Sequence, residues 1–176
     1  MGQIEIVGGY NRQLSDKECC IIRDMMLYED GIRQIFGNNN RLIGAAYDGL
    51  VKYDDEYIGF FLLVEERIKG IYFIDRGIKE QYRGLGIGTL ILEYIINNYR
   101  GNHFLLNETK KSNIAANKSA SKYGTLIYST DDLNYYLFNK SKEEFIESGM
   151  YDRFVEYEDK PKIKSYEMIR KIMNGE

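Results

Sequence analysis

The chain has 176 residues, 44% hydrophobic and 29% charged, the size and balance of one globular domain with room for a short appendage. Its net charge of −3 lacks the basic excess that phosphate-backbone binding needs, which argues against nucleic acid as a partner. One histidine and two adjacent cysteines, Cys19 and Cys20, supply too few ligands for a metal site and make Ser–His or Cys–His catalysis improbable; the cysteines fit a reduced protein.

At the N-terminus the basic and apolar stretches of a signal peptide are missing. The longest apolar run, Ile58 to Val64, is too short for a bilayer, so a cytoplasmic protein without a membrane partner is expected. Gln3–Val7 alternates apolar and polar residues and predicts a short strand. Ser15-Asp16-Lys17-Glu18 is a capping box that opens a helix running towards Tyr28, with Ile21, Ile22, Met25 and Met26 at helical spacing. Gly31–Phe36 reads as a shorter helix closed by Gly37 and three asparagines. Leu42–Tyr47 and Leu50–Tyr53 read as weak, interrupted strand. Tyr57–Glu65, apolar on both faces, predicts a central strand, and Ile71–Ile74 another.

The clearest helix follows, with Ile87, Leu90, Ile91, Tyr94 and Ile95 on one face. It stops near Gly101. His103–Leu106 predicts a short strand, and Asn113–Tyr123 a helix closed by Gly124 in the C′ position. Leu126–Thr130 and Leu133–Phe138 flank Asp131-Asp132 as a hairpin. In the tail, Ser141 opens a second capping box and Ser165 precedes a last helical pattern; Glu156–Lys164 between them is charged and holds Pro161, the one proline. The fold class is α+β: one domain over residues 1–139 and a short helical extension over 140–176, packed on it.

Between the strand at Ile71 and the helix at Ile87 lies Gln81-Tyr82-Arg83-Gly84-Leu85-Gly86-Ile87-Gly88. A helix N-terminus offers unpaired N–H groups and partial positive charge, so it favours phosphate oxygens. Glycines let the backbone come close and supply positive φ. Each N–H donated to a charged oxygen contributes about 1.5–3 kcal/mol, so several aligned amides suffice without a lysine. Two other phosphate loops do not fit. A P-loop needs Gly-Lys-Ser/Thr, and Thr89 follows Gly88 directly. A dinucleotide fingerprint needs G-x-G-x-x-G directly after its strand, whereas this loop lies well past the strand core with its third glycine one position early.

The segment Gln81–Gly86 resembles the Q/R-x-x-G-x-G/A signature of the GNAT superfamily of N-acetyltransferases. A second stretch, Asn113-Ile114-Ala115-Ala116 through Lys122-Tyr123-Gly124, resembles that family's N-x-x-A/S … K-x-G helix; together the motifs cover roughly residues 50 to 138. The resemblance implies a mixed, mostly antiparallel central sheet flanked by helices, with acetyl-CoA between two splayed strands. It implies that backbone groups of Arg76 and Ile78 bond the pantetheine arm. The amides from Arg83 through Gly84, Leu85, Gly86, Ile87 and Gly88 to Thr89 would hold the pyrophosphate. Asn113 either contacts the cofactor or merely caps its helix, and the Arg83 side chain either pairs with a phosphate or stays in solvent.

The implied reaction is direct attack of a primary amine, from a small molecule or a protein N-terminus, on the acetyl thioester. An alkylammonium with pKa about 10.4 must first lose its proton, at a cost of about 4–5 kcal/mol at pH 7. A backbone N–H near Ile78 would stabilise the oxyanion. The base is Asp75 or Glu108, each also readable as a structural carboxylate. A one-residue change of register decides which side Asp75 faces. Many family members carry an acid tyrosine where this chain has Ala120; Tyr123, one turn on, is either a substitute acid or core. This departure supports a second reading, an inactive acyl-CoA-binding or interaction module. The tyrosine-rich strands and the tail would line an acceptor site or cover a homodimer interface.

Overall fold

The computed structural model describes residues 3–30, 45–65 and 67–159. The predicted helix over Gly31–Phe36 with its asparagine loop, the segment 42–44 and the pattern after Ser165 lie outside the described residues. The chain divides into two units, Met1–Lys142 and Glu143–Glu176.

Period-2 alternation in β3 (Glu56–Val64) sets the layers of the first unit. Phe61 and Leu63 enter one buried cluster with Ile87, Ile91, Leu92 and Ile95 of α2 (Ile87–Asn98). Phe60, Leu62 and Val64 enter a second with Cys19, Ile22, Met25 and Met26 of α1 (Asp16–Asp30). A strand apolar on both faces needs a cover on each, and the two amphipathic helices supply it. Fully buried side chains such as Ile91 and Ile95 each contribute about 1.5–3 kcal/mol.

The remaining elements of this unit are β1 (Ile4–Gly8), β2 (Ala45–Tyr53), β4 (Ile71–Ile78), β5 (Phe104–Lys110), α3 (Ile114–Tyr123), β6 (Thr125–Ser129) and β7 (Leu133–Leu137). The seven strands form one sheet in the order β1-β2-β3-β4-β5-β7-β6. Every neighbouring pair is antiparallel except β4 and β5, which are parallel. The α+β class and the mostly antiparallel sheet flanked by helices are as the sequence implied. The capping box of α1 forms reciprocally, Ser15 N–H donating to Glu18 Oε2 at 2.8 Å and Glu18 N–H to Ser15 Oγ at 3.3 Å.

Some local expectations are corrected. β2 is continuous through Gly49, because a Cβ there would lie 2.3 Å from the Phe61 ring that crosses it. The glycine makes room for an aromatic ring and does not interrupt the strand. β4 and β5 both run further than their apolar cores, to Ile78 and Lys110. Gly124 ends α3 in extended backbone (φ −125°), not in the left-handed C′ conformation; a Cβ there would meet the Phe138 ring at 2.7 Å. In the second unit α4 (Lys142–Glu147) stops before Gly149 at φ 75°, and α5 (Met150–Asp159), which the sequence reading missed, follows. Phe145 of α4 meets Phe154 and Tyr151 of α5, each at 6.3 Å between ring centroids.

Candidate active site

The parallel β4–β5 ladder pairs Ile71–Phe73 with Phe104–Leu106 and then stops, although both strands continue. At that point Asn107, 6% exposed, donates from Nδ2 to the Ile74 carbonyl at 3.1 Å, while its Oδ1 accepts from Thr109 Oγ1 at 3.2 Å. A side chain thus stands where the next backbone rung would be, and the strands open beyond it. β4 stays attached to β3 on its other edge. Lys79 N–H donates to the Ile58 carbonyl at 2.9 Å, and hydrogen-bonded pairs alternate along an antiparallel ladder. With Phe61 opposite Arg76 and Gly59 opposite Ile78, the backbone groups of Arg76 and Ile78 therefore point away from β3, into the opening. The Ile78 carbonyl is already engaged by Arg83 Nε at 3.0 Å. The Ile78 N–H and both Arg76 backbone groups face the gap.

From Ile78 the chain makes a short 3₁₀ turn, Glu80–Tyr82, and enters the glycine loop. Gly84 and Gly86 have φ 79° and 81°, the left-handed region in which glycine is at ease. Gly86 is the N-cap of α2 and offers no side chain to its first turn. Arg83 N–H donates to Glu80 and Thr89 N–H to Gly86, which withdraws two amides from the set expected to hold pyrophosphate. The amides of Gly84, Leu85, Gly86, Ile87 and Gly88 have no partner among the described residues. These five consecutive donors at a helix N-terminus form an anion cradle. It fits a pyrophosphate sterically, since a Cβ at Gly84 or Gly86 would meet nothing within 4 Å. Leu85 stands between them, 68% exposed.

α3 lies beside α2. Thr89 Oγ1 and Ser119 Oγ are 3.0 Å apart, and four residues further on in each helix the Tyr123 hydroxyl donates to Glu93. Both helices therefore start at the same end. Asn113 is the N-cap of α3, its Oδ1 accepting from Ala116 N–H at 3.1 Å. Tyr123 is not brought to the loop. Its partner Glu93 is six residues into α2, about 9 Å along the axis from the loop. Ala120 is fully buried.

On the sheet's other face the register question at Asp75 has an answer. Asp75 pairs with Leu62, which belongs to the α1 cluster, so Asp75 faces α1. Glu108 alternates with Leu105 of the α2 cluster and faces the same way as Asp75. Glu108 pairs with Arg67 and accepts from the Tyr135 hydroxyl at 3.2 Å. Two carboxylates thus border the opening, one on each strand, on the face opposite the glycine loop. A cleft of about 570 Å³ also lies on this face, lined by Ile21 and Met25 of α1, Tyr57 and Phe60 of β3, and Gly77 and Ile78 of β4. Among the described residues no group of three or more His, Cys, Asp or Glu is arranged for a metal ion, and no helix is long and apolar enough to cross a membrane. Sequence reasoning missed Asn107. The available signal was a polar residue directly after the apolar run Phe104-Leu105-Leu106.

An open parallel pair with an anion cradle at the following helix defines a binder of a phosphate-bearing, extended cofactor. Residues 14–124 match the acetyltransferase (GNAT) family. Solved structures with the same fold include an IAA acetyltransferase from Bacillus cereus (TM-score 0.58, 18% identity, 77% of this chain and 99% of that one). Another is a Salmonella typhimurium acetyltransferase that modifies the N-terminal serine of a 50S ribosomal subunit protein (0.54, 18%, 78% and 95%). A third is a spermidine N-acetyltransferase chimera from Vibrio cholerae (0.53, 11%, 82% and 99%). No curated protein sequence matches the chain. The chain belongs to the GNAT acetyltransferase family, acetyl-CoA-dependent N-acetyltransferases.

Proposed function

We propose that the chain transfers the acetyl group of acetyl-CoA to a primary amine of a small molecule or a protein N-terminus, in a domain spanning residues 1–139, with residues 140–176 a helical extension. The observation that carries this reading is the β4–β5 opening, with five free amides on its α2 side and two carboxylates and a cleft on its α1 side. The cofactor supplies an activated acetyl thioester. In this reading the Gly84–Gly88 amides hold its pyrophosphate, and the backbone groups of Arg76 and Ile78 hold the arm. The Ile78 N–H receives the charge developing on the acetyl oxygen. Asp75 accepts the proton of the incoming ammonium, a transfer that costs about 4–5 kcal/mol at pH 7 without a base. Glu108, fixed by Arg67 and Tyr135, orients from β5.

Two proteins of this fold, one that modifies a protein N-terminal serine and a spermidine N-acetyltransferase, support amine acceptors of both kinds. Ala120 at the position where many family members carry the acid tyrosine, with the Tyr123 hydroxyl engaged by Glu93, favours a second reading, a cofactor-binding module without turnover. Calorimetric titration with acetyl-CoA, followed by a thiol-release screen over amines and N-terminal peptides, separates the two. Thiol release dependent on one amine class supports transfer. Binding without release on any amine supports the second reading, and absence of acetyl-CoA binding sinks both.

A further inference from the structure

β4 carries a cation where its neighbours on the same face are apolar. Ile74 and Ile78 pack into the α2 cluster, and Arg76, between them, faces the same way beneath the first turn of α2. The residue is half-buried, and its guanidinium donates to the Gly88 carbonyl. A Cβ on Gly88 would lie 3.4 Å from Arg76 Nη1, so the third glycine of the loop accommodates this side chain, whereas Gly84 and Gly86 face open space. Among the described residues no carboxylate pairs with Arg76. Burial lowers its pKa to about 10, which leaves it charged at neutral pH.

The arrangement is unfavourable on two counts. A guanidinium is partly withdrawn from water without a counter-ion, and the dipole nearest to it, the N-terminus of α2, has the same sign. A leucine at this position would join Ile74, Ile78 and Ile87 without either cost. Local rules broken beside a ligand site point to a use in binding.

We propose that the Arg76 side chain is a second anion-binding element of the glycine loop, sharing the cofactor's phosphate charge with the Gly84–Gly88 amides from the sheet side. This rests on the loop being the cofactor's phosphate site. Of the five guanidinium donors, the Gly88 carbonyl engages one nitrogen, and Gly88 also carries the last free amide of the cradle. The loop has no lysine, its tip is Leu85, and Arg83 bends back to Ile78. Arg76 is therefore the cation that lies against the cradle from the sheet side. An anion in the loop offsets the repulsion between guanidinium and helix dipole, so cofactor binding recovers what the empty fold loses.

The experiment measures dissociation constants for CoA and for pantetheine, which lacks phosphate, together with ligand-free melting temperatures, in the wild type, Arg76→Leu and Arg76→Lys. Arg76→Leu is expected to melt at or above the wild type, to bind CoA about 10- to 100-fold more weakly and to bind pantetheine within about twofold. The dependence of log K on log salt becomes shallower with the loss of a phosphate contact, and Arg76→Lys recovers part of the CoA affinity. Three results overturn the proposal: Arg76→Leu retaining wild-type CoA affinity, losing CoA and pantetheine equally, or failing to fold, which would make the arginine structural. A wild-type chain that binds no CoA refutes the loop assignment itself.

Discussion

Substituting Gly86 by glutamate tests the cradle most directly, because two effects separate in the measurement. The residue sits at φ 81°, where a side chain costs about 1–2 kcal/mol. For a chain of this size that corresponds to a melting temperature lower by roughly 2–8 °C without ligand. The binding loss is larger. Five free amides surround the site, each contributing about 1.5–3 kcal/mol to a charged oxygen. A carboxylate anchored at Gly86, with nothing within 4 Å of its Cβ, folds over the loop and occupies at least two of them. CoA affinity should fall by about 3–6 kcal/mol, more than roughly a hundredfold. Gly86→Ala carries the φ cost without the charge and serves as the control. Isothermal titration with CoA, run beside ligand-free melting curves, reads both quantities. If Gly86→Glu retains CoA affinity within about threefold while melting lower, the loop is a tight turn and the phosphate assignment is wrong.

Asp75→Asn should lower kcat/KM at neutral pH by about 10²-fold or more with CoA affinity unchanged; a pH–rate profile that superposes on the wild type removes Asp75 as base. Tyr123→Phe should leave the rate within about twofold and reduce stability by roughly 1 kcal/mol, the worth of the hydrogen bond to Glu93. Chemical denaturation measures the second, and a tenfold rate loss would assign the hydroxyl as acid. Glu18 is held down to about pKa 2, first by Arg12 and then by its capping bonds to Ser15. A carboxyl with a lowered folded pKa adds stability above its unfolded value near 4.5, and that stability is lost as the pH falls towards 2. Glu18→Gln should therefore cost about 1 kcal/mol at pH 7, after allowance for solvent screening, and nothing at pH 2. Urea midpoints that shift equally at both pH values would contradict this.

The layers were legible because β3 is apolar at every position from Ile58 to Val64, which forces a helix on each face. The loop was legible because three glycines stood between an apolar strand and an amphipathic helix. Three other features were not, each for a definable reason. Gly49 and Gly124 read as breaks or caps, yet each is glycine because a phenyl ring, Phe61 or Phe138, lies against it; close approach leaves no mark in local sequence. The side that Asp75 faces depends on strand register, which only the pairing with Leu62 fixes. α5 was lost in a charged segment whose buried positions, Phe154 and Glu158, include a carboxylate.

The opening between β4 and β5 also determines from which side an acceptor must come. Strand alternation sends Arg76 and Ile78 towards α2 and Asp75 and Gly77 towards α1. α2 and α3, joined through Thr89–Ser119 and Glu93–Tyr123, cover the first face directly behind the cradle. The cleft beside Gly77 lies on the second. In the proposed reading a thioester held by the Arg76 and Ile78 backbone lies in the plane of the sheet, where Asn107 keeps the strands apart. An amine meets its carbonyl only from the α1 side, past Asp75. Closing the gap should therefore abolish turnover even with both carboxylates intact. Asn107→Val, which removes the wedge and suits a strand, should lose CoA affinity although it touches no phosphate; unchanged affinity would show that the splay is held open by the backbone alone.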